Sequence, residues 1–229
     1  MFREEELELL LKIIRQGLLQ AFGETLLMTF VPTILAFAIG LPLGILLVTG
    51  EEKGIHPLPP WLLWLMNFII NILRSVPFLI LLIVALPLSK ILIGTRVGAK
   101  AMLIPLVVAA FPFVSRLVEN SIREVDPGVV EAAQSMGAST FQIIWKVLIP
   151  EARPSLISNF MVSLITIFGY GAMSGAVGGG GIGRIAVNYG YNRYMPLVML
   201  FSVVLLVILV QIFQSIGNCI VKKSDKRIH

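Results

Sequence analysis

Few side chains in this sequence have the types and spacing that metal binding or enzyme chemistry requires. One cysteine, Cys219, and two histidines, His56 and His229, are present, and three side chains cannot fill the four positions of a structural zinc site. A lone cysteine also excludes a disulfide scaffold. No acidic and basic side chains pair within an apolar stretch in the way that acid–base catalysis needs. We therefore expect neither a metal centre nor an enzyme active site.

Two nucleotide-binding patterns are excluded as well. Gly178, Gly180 and Gly183 have the spacing of a dinucleotide-binding loop, but that motif needs a preceding strand and an acidic residue about twenty positions later, and neither is expected here. No Gly-Lys-Ser or Gly-Lys-Thr occurs, so the P-loop that binds ATP is missing. We expect no cofactor on this chain and interpret 177–184 as a flexible link, with a gate or a partner contact as the alternative.

A few side chains in apolar surroundings have types suited to contacting a solute. Arg74 separates two apolar stretches and precedes Pro77. A charge there needs a partner or a water-lined cavity, so Arg74 either bonds carbonyls freed by the proline or attracts a substrate carboxylate. Met173 is a candidate for a pathway that carries a thioether, because methionine contacts are adaptable, and Tyr170 and Ser174 lie beside it. The alternative is that methionine here fills the core or faces lipid.

The composition shows in which solvent these residues lie. Of 229 residues, 57% are apolar and 14% charged, against about 45–50% and about 25% in soluble domains. With a mean hydropathy of +0.91, a globular fold of this size cannot bury so much apolar surface. We therefore predict an all-α membrane protein in a lipid bilayer. The net charge of +5 does not indicate nucleic acid, because basic residues cluster only in the tail, 222–229.

The sequence predicts five membrane spans, since a bilayer core of about 30 Å requires about 20 apolar residues in a helix. The second span contains Arg74 and is predicted as one helix kinked near Pro77. The third includes Arg116 and Glu119, with their charged ends reaching the membrane interface. The predicted spans cover about 25–49, 61–88, 99–120, 155–177 and 195–221.

The segments outside the spans suggest an orientation. Residues 1–24 are predicted as an amphipathic helix at the membrane interface. They carry acidic residues where a secretory signal needs positive charge. Lysine and arginine are nearly balanced between the two sides, but the basic tail 222–229 directly follows the last span. We therefore expect the C-terminus in the cytoplasm and the N-terminus outside.

One long polar segment, residues 123–153, separates the third and fourth spans. Asp126 is a good N-cap, Pro127 a good first helical residue and Gly137 a natural helix end. Ser139 or Thr140 can begin a second helix, which Pro150 is expected to end. The segment is therefore predicted as a helix-turn-helix with an apolar face of Val129, Val130 and Ala133. It either packs on its own bundle or inserts into a groove of a partner.

The residues of this segment resemble the EAA motif of the membrane subunits of ABC importers, EAA-x3-G-x9-I-x-L-P. Val147 and Ile149 replace its isoleucine and leucine, which are close in volume. Three further stretches, NILRSVPF (71–78), PFVSRLVEN (112–120) and GYGAMSGAVG (169–178), are similar to the methionine-uptake ABC permeases, as is Gly190-Tyr191. The residues that match the motif, and that the resemblance implies contact the ATPase, are Glu131, Ala132, Ala133, Gly137, Val147, Ile149 and Pro150.

The resemblance implies a type I ABC importer permease fold in a bacterial cytoplasmic membrane. It implies a homodimer, two copies of a cytoplasmic ATPase that use ATP and magnesium, and an extracytoplasmic methionine-binding protein. Segment 123–153 would then be the cytoplasmic coupling helices, and the substrate methionine, as the L- and possibly the D-enantiomer. The alternatives are an importer for another amino acid and, in other classes, a passive channel or a membrane enzyme.

Overall fold

The computed structural model describes residues 4–224, with the side chains of residues 6–222. The described residues form ten α-helices and no strand. In chain order these are α1 (Glu4–Gln16), α2 (Leu18–Thr49), α3 (Pro60–Ser75), α4 (Phe78–Ile93), α5 (Ala99–Arg123), α6 (Pro127–Ser135), α7 (Thr140–Ile143), α8 (Ile149–Ser174), α9 (Gly181–Ile185) and α10 (Pro196–Ser224). Two π-helical turns, Ile144–Leu148 and Ala186–Tyr191, and one 3₁₀ turn, Gly175–Val177, extend α7, α9 and α8.

Four helical stretches within residues 4–224 are long and apolar enough to cross a membrane. They are Leu18–Thr49, Ala99–Arg123, Thr140–Tyr191 and Pro196–Lys222. A fifth crossing exists if α3 and α4 together count as one broken span. The described residues therefore contain four or five spans, which agrees with the predicted membrane bundle.

The predicted single kinked helix over 61–88 is wrong. α3 and α4 are separate helices that meet at 112°. Val76 and Pro77 between them are both extended, with ψ angles of 128° and 136°. A proline disfavours the helical conformation in the residue before it, so the chain breaks at Val76 instead of bending.

The first span begins earlier than predicted, and the N-terminal amphipathic helix is shorter than 1–24. α1 ends at Gln16 and α2 starts at Leu18. The sequence placed Glu24 outside the span because of its charge, but its carboxylate accepts hydrogen bonds from the Gln20 amide at 2.9 Å and from the Gly181 N–H at 2.7 Å. These partners allow a charged residue inside α2.

Pro150 does not end the second helix of the polar segment, contrary to the prediction. Helical structure continues from Thr140 through α8, and Pro150 lies in the first turn of α8, directly after the π-helical turn Ile144–Leu148. A π-helical turn rearranges the hydrogen bonds at the position where proline has no N–H to donate. The polar segment 123–153 is therefore joined to α8 by continuous helix from Thr140 onward.

The glycine-rich stretch 177–184 is packed inside the bundle, which corrects its interpretation as a flexible link. Gly179–Gly183 are buried, and the Ile182 N–H donates to the Thr25 hydroxyl at 3.0 Å. A side chain at Gly183 would collide with the backbone of Ala172. Glycine is required here because two backbones approach closely.

The core of the bundle is the interface between α2 and α5, the most extensive contact between two helices. Gly40 and Gly44 on α2 face Val114, Ser115 and Val118 on α5. Small residues let two backbones approach within a membrane, where packing replaces the hydrophobic effect between helices. Lys222 belongs to α10, and residues 225–229 of the predicted basic tail lie outside the described residues.

Replacing Gly44 by alanine should destabilise the bundle. The added methyl group would lie 2.6 Å from the Ser115 carbonyl oxygen and 2.7 Å from Val118, and overpacking of this kind costs about 1–3 kcal/mol. The thermal midpoint of the purified chain, measured by size-exclusion chromatography after heating, should fall. Gly23→Ala is the matched control, because nothing lies within 4 Å of its added methyl group. Equal midpoints for the two variants would contradict this packing.

Candidate functional site

The helix-turn-helix of the polar segment forms through the capping interactions that the sequence predicts. The Asp126 carboxylate accepts the Gly128 N–H at 2.8 Å, and Pro127 begins α6. Gly137 has a φ of +78°, a conformation that favours glycine. Ser139 and Gln142 form a capping box at the start of α7, which satisfies two otherwise free N–H groups. Two short helices thus meet at a sharp turn.

The two halves of the motif differ in exposure. Glu131 and Ala132 are exposed, whereas Ala133 is buried against the bundle. Val147 and Ile149 are half-buried, and Pro150 is exposed. The predicted apolar face of α6 is therefore divided, because Ala133 is buried, Val130 is half-buried and only Val129 is exposed. One part of the segment therefore packs on its own bundle, and another part is exposed and available to a partner.

Large apolar side chains are exposed on this segment. Phe141 and Trp145 lie on one helical turn with their ring centroids 6.0 Å apart, and they are 69% and 57% exposed. Met136, beside the turn, is 81% exposed. Large exposed apolar groups on a polar segment mark a contact with another protein or with the membrane surface. We call Met136, Phe141 and Trp145, with the half-exposed Val129, the coupling surface.

A network of charges and amides connects α3 to α5. The Arg116 guanidinium donates to the Glu119 carboxylate at 2.6 Å, to the Asn67 side-chain oxygen at 2.7 Å and to that of Asn71 at 3.0 Å. Glu119 is only 7% exposed. Arg116 and Glu119 therefore find partners inside the bundle, and the prediction that their charged ends reach the membrane interface stays a prediction.

The same network extends to the polar segment 123–153. Arg123, at the end of α5, donates to Glu119 at 2.9 Å and to Glu51 in the loop after α2. The Arg123 hydrogen bond, supported by its positive charge, holds the pKa of Glu51 below its usual value. Glu51 and Arg123 line a groove of 380 Å³ together with Glu131 of the motif. The network thus extends from α3 to the groove beneath α6.

The four candidate pathway residues do not lie together. Arg74 and Tyr170 line one cavity of 210 Å³ between α3, α4, α5 and α8. Met173 is 48% exposed on α8. Ser174 is fully buried, where its hydroxyl donates to the Gly171 carbonyl at 2.6 Å and contacts the Met28 sulfur at 3.7 Å. Within the part of the chain whose side chains are described, 6–222, the Arg74 guanidinium forms no hydrogen bond or ion pair, so it does not bond the carbonyls near Pro77.

Comparison with known proteins identifies the family. The family of binding-protein-dependent transport system inner membrane components matches residues 40–229. The chain belongs to this family. A probable D-methionine transport system permease protein MetI of Vibrio cholerae is 45% identical over 210 residues, which are 92% of this chain and 93% of that protein. The methionine import system permease protein MetP of Bacillus subtilis is 48% identical over 159 residues, 69% of this chain and 72% of that protein.

Solved structures agree with this family. A chain of the MetNI methionine ABC transporter in an inward-facing conformation matches with a TM-score of 0.89 and 43% identity, covering 93% of this chain and 98% of that chain. An amino acid ABC transporter crystallised with histidines shares the fold, with a TM-score of 0.71 and 17% identity over 97% and 99% of the two chains. The predicted fold of a type I ABC importer permease is confirmed, as is a transport role instead of an enzyme.

In this permease, the network around Glu119 is the feature that sequence reasoning missed. Two sets of helical spacings in the sequence are the signal that could have revealed it. Asn67, Asn71 and Arg74 follow each other at i, i+4 and i+7 on α3, and Arg116, Glu119 and Arg123 at i, i+3 and i+7 on α5. Such positions share one helix face, and polar residues that share a face in a membrane helix are directed at a neighbouring helix.

Replacing Glu119 by glutamine should destabilise the permease strongly. The change leaves Arg116 and Arg123 without their shared anion, and loss of one partner from a buried pair costs about 3–5 kcal/mol. The thermal midpoint in detergent should fall well below that of Glu124→Gln. Glu124 is the matched control, because it is exposed at the same helix end and its carboxylate forms no hydrogen bond or ion pair with the side chains described, 6–222. A similar midpoint for both variants would show that the network does not hold α3 on α5.

Proposed function

We propose that this chain is the membrane-spanning subunit of an ATP-driven methionine importer in a bacterial cytoplasmic membrane. Two observations support the proposal. The chain belongs to a family of binding-protein-dependent permeases, and relatives that it matches over most of its length are named for D-methionine or methionine transport. The inferred partners are two copies of a cytoplasmic ATPase, an extracytoplasmic methionine-binding protein and a second copy of this chain.

The coupling surface is the proposed contact with the ATPase. Phe141, Trp145 and Met136 offer exposed apolar area, and aromatic and methionine side chains are enriched at protein interfaces. Glu131 and Ala132 of the motif are exposed on the neighbouring α6. Residues Ala133, Val147 and Ile149 hold the two helices on the bundle, with Pro150 at the start of α8. Insertion of this helical pair into a groove of the ATPase follows the helix-in-groove mode of recognition.

Transport then follows from the rigid connections of this segment. ATP and magnesium bind to the ATPase, whose closure would move the docked helices as a rigid body. Because helix continues from Thr140 into α8, that movement reaches the spanning part of the chain directly. The coupling segment and C-terminus would lie in the cytoplasm, and the N-terminus outside.

A homodimer is proposed because one chain with four or five spans encloses too little space for a gated path. Two-fold symmetry is the usual arrangement of two identical subunits. It gives each ATPase copy one coupling segment and places the pathway near the axis. Arg74, Tyr170, Met173 and Ser174 are the candidate residues of that pathway or its gate.

Importer activity is expected only in the complete assembly. Proteoliposomes that contain this chain, its ATPase and the binding protein should accumulate radiolabelled methionine when ATP is supplied on the ATPase side. Liposomes with this chain alone should neither hydrolyse ATP nor take up methionine. Uptake without the ATPase would indicate a channel and overturn the proposal. Accumulation of another amino acid in preference to methionine would overturn the substrate.

Gly137→Val should impair ATP-driven uptake while the chain remains in the membrane. A β-branched residue at a φ of +78° costs about 1–2 kcal/mol, which corresponds to about a 5- to 30-fold change in the population of the correct turn. The initial rate of uptake and the amount of ATPase co-purified should both fall. Gly137→Asn is the matched control, because asparagine tolerates this conformation and the site has open space. Full uptake by the valine variant would exclude this docking geometry.

A further inference from the structure

We infer that the cavity beside Arg74 is a binding site for the carboxylate of the transported amino acid, with Arg74 as its anchor. The inference rests on the proposed function, because it concerns the solute that the importer carries.

The cavity lies where the chain breaks between α3 and α4. Arg74 is in the last turn of α3, and Phe78 begins α4. Ala109 and Phe113 in the middle of α5, with Tyr170 of α8, complete the wall. The cavity volume of 210 Å³ is below the range of about 300–1,000 Å³ for drug-sized ligands and therefore suits a small solute.

Arg74 and Arg116 differ in their partners. Arg116 has a carboxylate and two amide oxygens as partners. The exposed Arg74 guanidinium has no partner among the described side chains, 6–222, although Asn67 and Asn71 lie on the same face of α3. An unpaired guanidinium at membrane depth is costly. The absence of an internal partner therefore favours an anion that arrives from outside the chain.

The cavity offers a cation for the carboxylate of an amino acid and aromatic rings for an apolar side chain. A guanidinium binds a carboxylate through two parallel hydrogen bonds. Phe78 and Tyr170 stack with their ring centroids 3.9 Å apart and 8° between their planes, which gives a flat aromatic wall beside the charge. A thioether makes favourable contacts with aromatic rings. The carboxylate would thus meet Arg74 while the side chain meets the rings.

The first test compares Arg74→Met with Arg96→Met in the complete importer reconstituted with ATPase and binding protein. Arg96 is the matched control, since it is exposed outside the cavity and makes no hydrogen bond or ion pair within residues 4–224. Arg74→Met should lower methionine uptake by about 10- to 100-fold, as expected for lost hydrogen bonds to a charged group. Stimulation of ATP hydrolysis by the binding protein should persist. Uptake equal to that of Arg96→Met would overturn the inference.

A second test separates charge from bulk. In a Cys219→Ser background, which removes the native thiol, Arg74→Cys is treated with aminoethyl methanethiosulfonate, which adds an ammonium group, or with the neutral methyl methanethiosulfonate. Uptake should recover several-fold with the ammonium only. The Cys219→Ser chain with Arg74 retained reports any effect of the reagents on the other subunits. Equal uptake after both reagents would overturn the carboxylate site.

These tests distinguish a failure of the proposed Arg74 site from a failure of the proposed function. If the unaltered assembly takes up no methionine, the proposed function fails. If the unaltered assembly transports methionine and the Arg74 variants transport it equally well, only the site fails. Loss of the dimer on size-exclusion chromatography of Arg74→Met would also overturn the site, because it would show that the guanidinium holds the second copy.

Discussion

Hydrocarbon cannot solvate a charge, and this constraint determines how α3 and α5 are held together. Glu119 is buried in α5, where Arg116 and Arg123 neutralise it. Arg116 then uses its remaining donors on Asn67 and Asn71 of α3. In water such bonds would compete with solvent and contribute little. Inside a bundle the alternative is an unsatisfied polar group, which costs more than any single apolar contact gains.

The same network connects α3, which ends at the cavity beside Arg74, with the groove under α6. Arg123 joins Glu119 to Glu51 at the groove under α6, so the coupling segment rests on a loop that is tied to α5 and, through Arg116, to α3. Interfaces of this kind switch between discrete arrangements and do not deform continuously. A displacement of α6 would therefore be expected to move α3 as a unit with α5.

Residue types and local spacing predicted an apolar helical membrane bundle, the caps at Asp126 and Ser139, and the turn at Gly137, because these depend on composition or on a few neighbouring residues. Long-range pairing was not predictable in the same way. Glu24 was placed outside a span because its partner, Gly181, is far away in sequence. The glycine-rich stretch 177–184 is interpreted as flexible from the sequence for the same reason, since only the fold shows that Thr25 and Ala172 pack against it.

The break at Val76 shows how local and long-range effects combine. Proline chemistry predicts an irregularity at Pro77, but its size depends on how the freed backbone and the adjacent Arg74 are accommodated. Asn67 and Asn71 give the polar face of α3 a partner in Arg116, and the next charge on that face, Arg74, lies at the helix end beside a cavity. Asn67 and Asn71 already hold this face of α3 on α5 through Arg116, so the end of the face beside the cavity is not needed for that contact. The last residue of that face is better explained by a solute that is present only during transport.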